Sequence, residues 1–238
     1  MNILETIKQR HSVRQYKDRK IEPEKLEQLL NELDTINREA HLHIQILFDE
    51  PRCFQSLMAH YGKFSGVQNY IALVGKKSPD LEEKCGYYGE RLVLLAQSLG
   101  LNTCWVAMTH GKSAARIFKG EKQTCLIALG YGKTQGVAHK SKAIEEVVDL
   151  NGSMPEWFKT GIESVLLAPT AMNQQKFCFT LSGEEVSAHI TGGFLAKKNS
   201  GKSGDFIRAF PGGTGLYTKT DLGIVKYHFE AVTGKKVL

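Results

Sequence analysis

Gln9-Arg10-His11-Ser12-Val13-Arg14-Gln15-Tyr16 puts two guanidinium groups and a hydroxyl within five residues. Just before it, Ile3, Leu4 and Ile7 give a short amphipathic helix. In an extended segment residues i, i+2 and i+4 share a face, so Arg10, Ser12 and Arg14 are expected to point together. Two planar cationic forks flanking a hydroxyl suit a phosphate, because arginine offers bidentate charge-assisted bonds. A solvated basic turn has the same local pattern, so the rest of the chain has to decide.

With 238 residues, the chain can form one large domain or two small ones. Hydrophobic residues at 42% and charged residues at 24% are ordinary globular values. A net charge of +6 and a pI near 9.0, spread along the chain, suit an anionic ligand such as a phosphorylated cofactor. No zinc-finger, helix-turn-helix or RNP-type motif is present, so nucleic acid is not expected as a partner. The five cysteines (Cys53, Cys85, Cys104, Cys125, Cys178) have neither CxxC nor Cys/His spacing, so no zinc or disulfide framework is expected. The first residues lack the apolar run of a signal peptide, and no stretch approaches the length of a membrane span. The chain therefore reads as cytoplasmic and reduced.

Pro23 opens a helix with Leu26, Leu29, Leu30 and Leu33 as its stripe. Leu42, Ile44, Ile46 and Phe48 alternate at strand period, and Phe54, Leu57, Met58 and Tyr61 return to helical spacing. A buried strand is expected over 69–75. The longest apolar helix should run from about 81 to 99 and stop at Gly100. Two more buried strands cover 103–108 and 124–129. Pro155 then opens a helix carrying Phe158, Ile162, Val165 and Leu166, followed by the loop 168–175. Residues 176–181 and 186–190 read as strands paired across Ser182-Gly183, and a last helix through Leu222, Val225, Phe229 and Val232 ends at Gly234. The glycine- and lysine-rich stretch 192–215 reads as a surface loop.

The two parts of the chain echo each other faintly. A shift of 132 lays Pro23-Glu24 on Pro155-Glu156, and a shift of 134 lays Gly89 on Gly223 and Gly100 on Gly234. Two related halves around a pseudo-twofold axis are expected, with residues 1–150 as the first and 151–238 as a second, shortened one.

Two phosphate-loop look-alikes fail. Gly201-Lys202-Ser203 lacks the first Walker glycine, Ala196 standing there, and Pro211 follows before a helix could form. Gly213-Thr214-Gly215 lacks the third glycine of a dinucleotide fingerprint. The eight histidines are dispersed; His41 and His43 fall on the polar face of an expected strand, and none has an acid at triad spacing. The thiols read as core residues, and Ser12 has no nucleophile-elbow context. No metal site and no covalent catalyst is expected.

Three stretches together carry a resemblance: Arg10-His-Ser-Val-Arg-Gln-Tyr16, then 88–105 (YGERLVLLAQSLGLNTCW), then Leu126-Ile-Ala-Leu-Gly-Tyr-Gly132. In this order they closely resemble the FMN-dependent nitroreductase family, with its R-x-S-x-R clamp, its helix leading into G-L-x-T-C-W and its I-A-L-G-Y strand. The resemblance covers most of residues 1–150. It implies an α+β fold, a mixed antiparallel sheet flanked by helices. One family motif is displaced. The P-S-x-x-N-x-Q loop, which there reaches the flavin of the partner subunit, is missing at 34–40 and reappears as Pro169-Thr170-Ala171-Met172-Asn173-Gln174-Gln175. Conversely, no R-x-S-x-R precedes Pro155. The two halves thus resemble the two subunits of the family dimer fused into one chain, with one intact FMN site, one eroded site and a monomer as the expected state.

By the same resemblance Arg10, His11, Ser12, Lys140 and Lys142 belong to the phosphate end of FMN. Arg14 would lie by the flavin pyrimidine edge, where negative charge accumulates on reduction. Pro169, Thr170, Ala171, Asn173 and Gln175 would close the site from the other half. No protein acid or base is assigned a catalytic role. The turn at Ala107 and Met108 is expected to offer a backbone N–H to flavin N5, with Met108 standing where the family often has glycine. The implied activity is ping-pong hydride transfer from NAD(P)H to a small-molecule acceptor, a nitroaromatic or quinone. A flavin binder without turnover, or a flavin-modifying or dehalogenating relative, are the alternatives.

Overall fold

In the computed structural model, the described residues are 2–150, 152–191 and 217–238; the loop expected over 192–215 lies outside them. Helix α1 (Ile3–Gln9) is N-capped by Asn2, and α2 (Pro23–Ala40) starts at its proline as expected. The first sheet has the order β1 (Gln45–Leu47), β2 (Asn69–Lys76), β4 (Glu121–Gly130), β3 (Asn102–Val106), all antiparallel. Between β2 and β3 runs α4 (Leu81–Ser98), and Gly100 at φ +75 supplies the left-handed residue that ends it. The expected strand over 42–48 is reduced to the three residues of β1, and the helical spacing at 54–61 resolves into a 3-10 turn and the short α3 (Leu57–Tyr61).

β2 and β4 are apolar on both faces because both faces are covered. Ile71, Leu73, Ile127 and Leu129 meet α2 and α4, while Tyr70, Ala72, Leu126 and Ala128 meet Phe54, Phe64, Val13 and Tyr16 on the other side. Each of the buried Ile, Leu and Phe side chains contributes roughly 1.5–3 kcal/mol on full burial. In α2 the stripe is Leu29, Leu33, Ile36 and Ala40; Leu30 stays exposed, rotated away from α4.

The second half builds a smaller sheet. β6 (Phe177–Ser182) and β7 (Glu185–Ile190) form the expected hairpin, with Gly183 at φ +63 in its two-residue turn. The short β5 (Val148–Asp149) joins β6 in parallel, a strand too brief to leave a sequence signal. Helices α5 (Glu156–Val165) and α6 (Thr218–Thr233) cover this sheet through Phe158, Ile162, Phe179 and Phe229. The two sheet-and-helix layers are joined where α4 packs on α6. The glycines that allow this are Gly86 and Gly223: a methyl on either would lie 2.0 Å from the carbonyl oxygen of Thr220 or of Glu83. Gly89, matched to Gly223 by the sequence shift, instead abuts the Trp105 ring. Among the described residues no helix is long and apolar enough to cross a membrane.

Candidate functional site

Arg10 is the C-cap of α1, where the chain turns extended and Ser12 makes a parallel bridge to Thr103 on β3. The segment 10–14 thereby becomes a rim along the edge of the first sheet. The residues expected to share a face do converge, but their exposures grade: Arg10 is 3% exposed, Ser12 half-buried and Arg14 exposed. Arg10 donates to the Leu167 carbonyl at 3.4 Å, and its Nε, buried, has no hydrogen-bond partner. Burial lowers its pKa, opposed by Glu90.

The loop after α5 faces this rim. Ala171 N–H donates to Asp221 Oδ1 at 2.9 Å, and Gln174 Nε2 to Asp221 Oδ2 at 2.7 Å, so α6 anchors the loop. Gln175 is buried; its amide donates to Lys140 O and Asn173 Oδ1, and its carbonyl oxygen accepts from Lys142 N. Asn173 Nδ2 also donates to Lys140 O, at 2.8 Å. Met172, Asn173 and Gln175 all have positive φ (52, 55 and 44), a left-handed backbone that L-residues adopt at a cost. Gln175 thus organises the loop from within.

Rim and loop enclose two adjoining clefts. One, of about 770 Å³, lies between Arg10, His11 and Ser12 on one wall and His139, Thr170 and Asn173 on the other. The second, of about 560 Å³, shares Ser12, Arg14, Pro169 and Thr170 and runs deeper along Trp105, Ala107 and Ile224. The first is basic, the second mostly apolar. Lys140 and Lys142 line neither: Lys142 Nζ donates to the Gln175 carbonyl at 2.7 Å, and Lys140 is exposed with its carbonyl bound by the loop. Ala107 lines the deeper cleft; Met108 beside it is half exposed.

Several residues escaped the sequence reading. His139 Nε2 lies 3.0 Å from the Leu166 carbonyl, placing the ring in the cleft wall. Burial first, and then Arg10, keep the pKa of both His11 and His139 low. Asp221 lines the deeper cleft, and burial pushes its carboxyl up to about 6 although the loop donors act to lower it. Behind Arg10 sits Glu90, which accepts from Trp105 Nε1 and contacts His228, both at 2.9 Å. No acid stood at triad spacing from any histidine in the sequence, yet His228 meets Glu90 and His43 lies 2.9 Å from Glu121, because the partners come from distant elements. Helical spacing with Gly86 and Val93 was the one signal that Glu90 lies on a buried stripe. Of the thiols, Cys53, Cys85, Cys104 and Cys125 are buried as expected, while Cys178 is partly exposed.

An anion carrying a flat ring system fits this geometry. The orphaned buried Nε shows that Arg10 is incompletely satisfied by protein alone. A phosphate in the basic cleft would give the guanidinium an acceptor of opposite charge, and the mostly apolar lining of the second cleft suits a ring system.

A family model described as "Putative TM nitroreductase" matches residues 2–233. Among solved structures, the chain is similar to a Thermotoga maritima protein described in the same terms, at 23% identity and a TM-score of 0.62, over 98% of this chain and 83% of that one. It is also similar to a Desulfovibrio desulfuricans protein of that description, solved in complex with FMN, at 17% identity and a TM-score of 0.51. That match covers 64% of this chain and 98% of the other. No curated protein matches. At these identities the structural likenesses speak for the fold.

Proposed function

The chain belongs to the nitroreductase family whose model spans residues 2–233, and from that premise we propose that it is an FMN-dependent oxidoreductase passing hydride equivalents from NAD(P)H to a nitroaromatic, quinone or similar acceptor. One observation carries the reading: Arg10-to-Arg14 and Pro169-to-Asn173, far apart in sequence, wall the same two clefts. FMN, when bound, supplies the two-electron chemistry that side chains lack.

The protein's share is binding, placing and tuning. Arg10, Ser12 and His11 are assigned to the phosphate, joined by His139, which stands in the cleft wall. Lys142 serves through the loop it ties down, and exposed Lys140 through longer-range attraction. Arg14, on the rim common to both clefts, is placed to favour negative charge on the ring system. Pro169, Thr170, Ala171 and Asn173 close the site from the second half, while Gln175 holds their loop. Ala107 and Met108, at the end of β3, would present backbone to the reactive edge. Because both walls belong to one chain, the site needs no second subunit, and a monomer with one FMN follows. The complete match of the Desulfovibrio desulfuricans chain to under two thirds of this one favours the same arrangement of a full unit plus a shortened second half. Five free cysteines suit a reducing cytoplasm.

The test is the visible spectrum and flavin content of the purified protein, followed by NADH or NADPH oxidation with a nitroaromatic or a quinone. One FMN per chain with acceptor-dependent turnover is expected. Two FMN per chain would reject the single site, a bound flavin without turnover would reject the enzyme, and the absence of flavin uptake would reject the cofactor.

A further inference from the structure

Glu90 in the middle of α4 and His228 on α6 have no exposed surface. Glu90 Oε2 accepts from Trp105 Nε1, while Oε1 lies 2.9 Å from His228 Nε2 and 3.8 Å from Arg10 Nε. His228 Nδ1 lies 2.9 Å from the Ser164 carbonyl oxygen on α5. That oxygen can only accept, so Nδ1 carries a hydrogen. Nε2 then faces a carboxyl oxygen at hydrogen-bond distance, and a proton has to lie between them. The pair is either imidazolium with carboxylate or imidazole with carboxylic acid. Without that proton a ring lone pair would face a carboxylate lone pair in a dry interior, where neither has water to turn to.

We propose that Glu90 and His228 share one proton and act as a positioning pair for Arg10, so that the three residues together keep a single net positive charge behind the basic cleft. With the proton the pair is neutral and the guanidinium charge stands alone; without it Glu90 would cancel Arg10. Among the described residues the other titratable groups in electrostatic reach are His11 beside Arg10, Tyr227 on α6, His139 in the cleft wall and Cys104 on β3. Ser164 offers only its carbonyl and its hydroxyl, and the hydroxyl is used on Gly161 and His228 carbonyls. Among the described residues no other titratable side chain hydrogen-bonds to Glu90 or His228. The pair also spans the two halves, since Glu90 and His228 are 138 residues apart. Its effect on cofactor binding rests on the FMN reading above; its protonation does not.

Two measurements test this. The first is NMR of the ring nitrogens of His228 at neutral pH, assigned by the signal lost in His228→Gln, together with the protonated-carboxyl infrared band that Glu90→Gln would remove. A hydrogen on Nδ1 with either a hydrogen on Nε2 or that infrared band is expected. A neutral ring with neither a hydrogen on Nε2 nor the carboxyl band would overturn the proposal. The second is the affinity for FMN relative to riboflavin, which isolates the phosphate. Glu90→Gln can donate to a neutral His228 and accept from Trp105 while leaving the charge on Arg10 unopposed, so the ratio should stay within about twofold of the parent. His228→Gln strands a bare carboxylate beside Arg10, and the ratio should fall about tenfold. The double variant removes that carboxylate and should restore it. Such a rescue is not what a merely structural role produces. Equal losses in both single variants, or a double variant worse than His228→Gln, would reject the pair's role. If neither flavin binds at all, the proposed function falls while the NMR measurement still decides the proton. If His228→Gln does not fold, the ring signal that is absent in His228→Phe replaces it for assignment, and Glu90→Gln still reads the cofactor arm.

Discussion

The two walls of the site are prepared for a ligand in opposite ways. The wall from the first half, Arg10 to Arg14, stores charge: a guanidinium is sunk to 3% exposure, left with an orphaned Nε and backed by a carboxylate at 3.8 Å. The wall formed by Pro169 to Gln175 stores shape: three left-handed non-glycine residues are held by hydrogen bonds within the loop, by Asp221 and by Lys142. Charge acts over distance and tolerates some looseness, whereas a flat ring needs a wall at a fixed position. A site assembled from two distant segments can divide these tasks, one segment attracting the phosphate and the other fixing the plate.

Arg10→Ala should break the charged wall most severely. With charge-assisted bonds contributing about 1.5–3 kcal/mol each, FMN affinity should drop by about 3 kcal/mol, roughly a hundredfold, in a fluorescence titration. An affinity within a few fold of the parent would show that the rim does not work by charge. Asp221→Asn examines the anchor of the shaped wall. Its folded pKa is raised, from 3.8 to about 6, so its stabilising contribution is complete below the unfolded value and is lost as pH rises through about 6. The parent should therefore lose about 3 kcal/mol of stability between roughly pH 4 and pH 7.5 from this group, measured by urea unfolding, and the variant should lack that part of the slope. Identical slopes would mean that the Ala171 and Gln174 donors fully offset the effect of burial on this carboxyl.

Asn173→Ala probes contact across the halves: FMN affinity should weaken by about 1 kcal/mol, five- to tenfold. If it does not change, the second wall does not reach the cofactor. Met172→Gly is the smallest effect and has the opposite sign. Met172 is 84% exposed, so little packing is lost. Relief of about 1–2 kcal/mol of left-handed strain, less about 0.5–1 for the freer unfolded chain, should raise stability slightly in chemical denaturation. A loss of stability would show that Met172 packs on the site after all.

What could be read ahead of the structure followed local rules. The stop of α4 at Gly100, the stop of α6 at Gly234 and the turn at Gly183 each depend on a residue and its immediate neighbours, and all three hold. The pairing of the rim with the displaced loop was legible only through the order of motifs in the family it resembles. Lys140 and Lys142 show where that route stops: the motif placed them near the phosphate, while packing spends Lys142 on the Gln175 carbonyl. Leu30 fitted the helical stripe and is exposed nonetheless, because the position of α4 decides which edge of α2 is covered.

The sequence by itself determined the longer helices and strands, since periodicity and capping act within a few residues, while β5 and the true extent of β1 left no such mark. Only the tertiary structure decided which polar groups are sealed from water. Glu90 reads as one more polar helix residue until α6 arrives against Gly86 and brings His228 to it. Asp221 reads as a helix-start acid until the loop from 171 to 174 closes over it. Burial and charge coupling depend on contacts between distant segments, and the charge state of the site is set there.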